Sequence, residues 1–139
     1  MYPRCTAAQL AAFPFSHRTY GHVLPGIGLR NISLATCSVA GFPSVAAYDA
    51  RGRRARLSVD RAPFLDTQPV TYAVAPSRAV FFALYGRPPK HRGDFSDCRQ
   101  FQQIAVGVPD AGTPIRLPFS LATCGGRIAV SQIFPVNEL

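Results

Sequence analysis

Short stretches of this chain alternate apolar with polar residues, and turn residues separate them. Ala55, Leu57 and Val59 alternate with Arg54, Arg56, Ser58 and Asp60. A period of two predicts a half-buried strand, its apolar set toward a core and both arginines in solvent. Val70, Tyr72 and Val74 alternate in the same way with Thr71, Ala73 and Ala75. Ile104, Val106 and Val108 mark a further strand face, and Ile115, Leu117 and Phe119 another. Strands are also predicted over 21–30, weakened by Pro25, Gly26 and Gly28, and over 33–39, 44–48 and 127–134. Ala79 to Tyr85 is apolar at every position, which places it in the middle of a sheet. Asp49-Ala50-Arg51-Gly52 fits a type I turn, with Asp first and Gly fourth. Gly86 to Asp97, carrying Pro88-Pro89, is the longest predicted loop, and Thr6 to Leu10 allows one helical turn. The expected fold is an all-β, antiparallel β-sandwich of eight or nine short strands. The chain has no Trp to pack on a central disulfide, so it is not a true immunoglobulin domain.

Composition narrows this picture. At 139 residues one domain is expected, and 47% hydrophobic against 16% charged residues is too apolar for disorder. Four cysteines, Cys5, Cys37, Cys98 and Cys124, are even in number, widely spaced and never in a Cys-x-x-Cys pair. That favours two structural disulfides over a metal or redox site, and therefore an extracellular or cell-envelope protein. Met1 to Cys5 holds no apolar export segment, and Pro3-Arg4 does not resemble a lipoprotein cleavage box. Either an export segment was removed and Met1 added, which is the favoured expectation, or the cysteines are free in the cytosol. No apolar run approaches the length needed to span a bilayer.

Charge is one-sided, with 15 Lys and Arg against seven Asp and Glu, a net +8. Arginine forks suit phosphate and carboxylate, although a GC-rich genome also inflates arginine. Arg51, Arg53, Arg54, Arg56 and Arg61 crowd the predicted hairpin, opposed locally by Asp49 and Asp60. They form the candidate anion-binding surface. For an exported protein, anionic cell-wall polymer or acidic lipid ranks above nucleic acid as the partner. The competing explanation is a solvated strand edge whose charges prevent aggregation.

Catalytic patterns are weak. His17, His22, His91 and Glu138 join Asp49, Asp60, Asp66, Asp94, Asp97 and Asp110 in no recognised motif. His17 and His22 have no fixed partner for a metal. We expect no catalytic residue, no cofactor and no metal. Arg92-Gly93-Asp94 looks like an integrin-recognition tripeptide, but such triplets arise by chance in a chain rich in Arg and Gly, and a polar turn with Gly at positive φ is the favoured reading.

Several spaced pieces resemble one family of actinobacterial exported and lipoprotein domains, domain-of-unknown-function family forty-two thirty-two. They are Cys5 with Leu10, Gly21-His22, Asn31 before Cys37, and Gly41-Phe42-Pro43-Ser44-Val45. Asp49 with Gly52, Val74 to Ala79, Cys98, and Cys124 within 119–125 complete the set. Ser33 and Ser77 stand where the family often has Gly. The resemblance implies an extracellular immunoglobulin-like sandwich bridged Cys5–Cys37 and Cys98–Cys124, and it implies no activity. The resulting expectation is a monomeric secreted binding or structural module. An extracellular enzyme with an unrecognised site and a nucleic-acid binder stand as alternatives.

Overall fold

A computed structural model describes residues 2–19, 21–62 and 70–135. Asp66 and Glu138 lie outside them. A 3-10 turn at Ala7–Gln9 leads into β1 (Leu10–Thr19), β2 (His22–Asn31), β3 (Cys37–Val39) and β4 (Ser44–Tyr48). There follow β5 (Ser58–Arg61), β6 (Tyr72–Val74), β7 (Ala79–Gly86) and β8 (Cys98–Gly107). β9 (Ile115–Cys124), β10 (Arg127–Val130) and β11 (Phe134–Pro135) complete the described residues. The fold is all-β, as expected. The segments number eleven because β1 was not apparent in the sequence and the last predicted strand divides into β10 and β11. Pro14 interrupts the pattern of β1, and β1 tolerates it by lying at a sheet edge.

The larger sheet has the order β1-β2-β7-β10-β5, with β11 also on β7. The smaller is β4-β8-β9, and β3 pairs with β6 as a separate ribbon. Among the described residues the strands pair antiparallel except β5 and β10, which run parallel, and a single parallel bridge joins Arg4 to Ser38 of β3. As its composition required, β7 lies inside a sheet, between β2 and β10. Val80, Phe82 and Leu84 face the main core, with Ile27, Leu29, Phe101, Ile104, Val106, Leu117 and Ile128. Phe81 and Ala83 face the other way, where Phe15 and Phe134 ring centroids lie 5.0 and 5.1 Å from that of Phe81. Edge-to-face rings cover this second face. Truncating a buried Phe such as Phe82 costs about 3–5 kcal/mol.

Gly28 in β2 leaves room for the Phe13 ring of the neighbouring strand; a Cβ there would sit 2.2 Å from it. The glycines that weaken the sequence signal of β2 therefore serve packing. Between β8 and β9 the register shifts: Phe101 pairs with Leu121 but Gln103 with Pro118, so the extra residue lies on β9. This β-bulge lets Phe101 and Ile104, three apart, both face the core.

Both disulfides form, Cys5–Cys37 and Cys98–Cys124. They mark opposite ends of the molecule. At the β7 start, Ala79 pairs with Arg30, next to Asn31. Asn31 is fully buried, and its Nδ2 donates to the Ala35 and Val74 carbonyls, each at 2.8 Å. Its Oδ1 accepts from Ser33 N–H at 2.9 Å and Ser33 Oγ at 2.7 Å. This side chain turns the chain out of β2 and accounts for the shrinkage of the predicted 33–39 strand to Cys37–Val39. At the β7 finish, Arg87 C=O accepts from Cys124 N–H at 3.0 Å. Eight extended residues put roughly 25 Å between the two ends.

Candidate functional site

The arginine-rich segment leaves one sheet for the other. β4 is the edge of the smaller sheet and β5 the edge of the larger. After β4, Gly52 N–H donates to Asp49 C=O at 2.9 Å, closing the expected turn. Asp49 N–H then donates to Arg53 C=O, and Ala55 N–H to Ala47 C=O, at 3.0 and 2.9 Å. Beyond that bridge the chain peels away from β4 to run parallel to β10 as β5. The gap it opens is a groove of about 580 Å³ lined by Val45, Ala46, Arg54, Ala55, Arg56 and Leu57 on its long walls.

The expected alternation holds through Leu57 and then inverts. Ala55 is buried, with Arg54 and Arg56 exposed. Val59, expected in the core, is 36% exposed, whereas Asp60 is half-buried. The reason is electrostatic. Asp60 Oδ1 accepts from Arg127 Nη2 at 2.9 Å, and its Oδ2 from Arg87 Nη2 at 3.3 Å. The Arg127 hydrogen bond, then its charge, and the Arg87 contacts hold the Asp60 carboxyl below its usual range despite partial desolvation. The same Asp60 hydrogen bond raises Arg127. Thr123 ties the two arginines together, accepting from Arg87 N–H at 2.8 Å and donating to Arg127 C=O.

This clasp changes the charge arithmetic of the segment. Asp60 is occupied by two arginines distant in sequence and does not pair with the run beside it. Asp49 pairs with Arg53 alone, at 3.2 Å, and its carboxyl is lowered chiefly by the Arg53 backbone N–H. Arg61 stacks on the Phe42 ring at 5.1 Å. Among the described residues Arg51, Arg54 and Arg56 have no carboxylate partner. Arg54 and Arg56 line the groove, and Arg51 stands exposed at the turn. A second hollow of about 140 Å³ also reaches Arg54, bounded by Ser44, Tyr48, Gly107 and Pro114. The guanidinium of Arg116 lies 3.8 Å from the Tyr48 ring centre, bringing a further cation to that side.

A family profile described as Domain of unknown function (DUF4232) matches residues 5–134. The chain belongs to this family. A search of curated proteins and a search of solved structures each returned no match. The description of the family assigns no chemistry to the arginine groove.

The other sequence candidates occupy different places. Among the described residues no three His, Cys, Asp or Glu side chains gather as a metal set. No helix there is long and apolar enough to cross a membrane. Arg92-Gly93-Asp94 forms an exposed turn, with Gly93 at φ +83° and Asp94 N–H donating to His91 C=O at 3.0 Å. The Asp94 carboxyl accepts from Ser96, which lowers its pKa. Sequence reasoning missed Arg87 and Arg127, whose contacts with Asp60 span 27 and 67 residues, and Thr123, which joins the two arginines. The one available signal was the inversion of the apolar alternation at Asp60.

Proposed function

We propose that this domain is a secreted or cell-envelope binding module that holds an anionic polymer in the groove between β4 and the Arg54–Ser58 segment. The observation that carries this reading is the pairing pattern. Arg54 and Arg56 are two residues apart on an extended chain, exposed, and without carboxylate partners among the described residues. Side chains at that spacing lie roughly 7 Å apart on one face. Guanidinium groups so placed suit successive phosphates or carboxylates of a polymer. Two disulfides support export, since such bridges persist in oxidising compartments.

Retention on immobilised heparin tests the reading. Replacing Arg51, Arg54 and Arg56 with Gln should lower the eluting salt concentration far more than replacing Arg18, Arg92 and Arg99. Equal elution of the two triple variants would show diffuse charge and no site. An enzyme reading rests on the histidines; hydrolase activity abolished by His91→Ala would replace the binding reading.

A further inference from the structure

The end away from the arginine groove carries the opposite chemistry. Leu34 is 99% exposed and Ile32 is 59% exposed. Such exposure is usual at a frayed loop, but this loop is tied down. Asn31 holds Ser33 and Ala35 as described, and Ile32 N–H donates to Gln9 C=O at 2.9 Å. Cys37, where the loop re-enters the fold, is bridged to Cys5. The base is rigid, so the two aliphatic side chains are presented to solvent and cannot fold back.

The 75–78 turn stands beside this tip. Ser77 N–H donates to Asn31 C=O at 2.8 Å, and Asn31 N–H donates to Arg78 C=O at 2.9 Å. Arg30 and Arg78 are both exposed, and Arg30 Nη1 reaches Ser77 C=O at 3.4 Å. No Asp or Glu occurs from Met1 to Tyr48 or from Thr67 to Gly93, so both loops come from acid-free sequence. Asp110, in the β8–β9 connection, is ion-paired with Arg4 at 3.5 Å. Two exposed aliphatic side chains flanked by two arginines, without a carboxylate in either loop, match the interface of an anionic bilayer. Apolar tips enter below the head groups while guanidinium groups meet phosphates.

We propose that the Ile32–Leu34 loop is a lipid-contacting tip that docks this end of the domain onto an anionic membrane surface, with Arg30 and Arg78 at phosphate level. The contact is peripheral. It uses residues separate from the Arg54–Arg56 groove, and so stands or falls independently of the polymer-binding reading.

The chain contains no Trp, so Leu34→Trp installs a single fluorescent probe at the tip. With vesicles of phosphatidylcholine and phosphatidylglycerol its emission should shift to the blue, and with phosphatidylcholine alone the shift should shrink. In co-sedimentation on the mixed vesicles, the Ile32→Ser/Leu34→Ser variant should bind at least about tenfold more weakly than the natural chain. Its melting temperature and heparin retention should not change, because both side chains are exposed. Arg78→Gln should weaken vesicle binding to a smaller degree. Arg51, Arg54 and Arg56 replaced by Gln should leave the Leu34→Trp shift intact. Emission unchanged by the mixed vesicles, or a double-Ser variant that sediments like the natural chain, would overturn the proposal.

Discussion

The two ends of the sandwich solve the same structural problem with different chemistry. Each must turn the chain out of the larger sheet, and each does so beside a disulfide. At the Asn31 end one neutral, fully buried amide gathers two loops through four hydrogen bonds. At the Arg54 end a half-buried carboxylate gathers two arginines. An amide satisfied by backbone works at any pH and leaves no charge over, so the surrounding surface is free to be apolar. A carboxylate needs cations, and this one draws them from β10 and the start of the 87–97 loop. The arginines next to it in sequence are therefore left without that partner. Structural economy at one end exposes leucine; at the other it exposes guanidinium.

The comparison is broken hardest by removing a bridge. Cys5 and Cys37 are 32 residues apart, Cys98 and Cys124 are 26, so each double Ala variant should lose about 3.5 kcal/mol in urea unfolding. The near equality is the expectation, and a bridge whose loss costs nothing would show that its end is held by the hydrogen bonds alone. Next in size is Asn31→Ala, which strips the Val74 carbonyl of a buried donor and should cost about 2–3 kcal/mol. Amide exchange in the 32–36 and 75–78 loops should accelerate together; acceleration in one only would separate the two loops.

Asp60→Asn should cost less than Asn31→Ala, and its effect should depend on pH. The Asp60 carboxyl lies below its ordinary value in the folded chain. Its contribution is complete above the unfolded carboxylate value, about pH 4, and fades as pH falls through the lowered folded value. Urea melts of the two proteins should differ at pH 7 and converge in strong acid. A gap that persists in acid would mean that the Asn side chain disrupts packing. The smallest effect belongs to Arg51, Arg54 and Arg56 replaced by Gln, which should alter stability by less than about 0.5 kcal/mol. A larger loss would mean that these side chains brace the groove.

What was legible in the sequence was whatever a local period encodes. The central placement of β7, the face of Ile104 and Val106, the 49–52 turn and the limits of β4 followed from two-residue alternation and turn chemistry. The bridge partners were legible only through the family resemblance. β1 was hidden because Pro14 and small residues blur its alternation, and β5 joined the larger sheet in parallel to β10 because Asp60 finds its partners there. Of the candidate site, the exposure of Arg54 and Arg56 was predictable from parity. Their lack of a neutralising partner was not, since it depends on Arg87 and Arg127 arriving from elsewhere in the chain. Asn31 was visible as a recurring residue before Cys37, but nothing local revealed that its amide reaches Val74.

The bulge between β8 and β9 has a consequence for how this domain tolerates changes of length. Cys98 pairs directly with Cys124, and Val106 with Ile115, so both margins of the β8–β9 ladder have fixed partners. Between them the strand is read in two frames, one ending at Phe101 and the other opening at Gln103. Adding one residue to β8 here would match it to the four steps of β9 from Leu121 to Leu117, and Phe101 and Ile104 would share the core face in one regular frame. Removing one would leave β8 two residues short of β9, so Phe101 or Ile104 would lose its partner across the ladder. Between these strands the domain counts residues against a partner, whereas its connecting loops measure only reach.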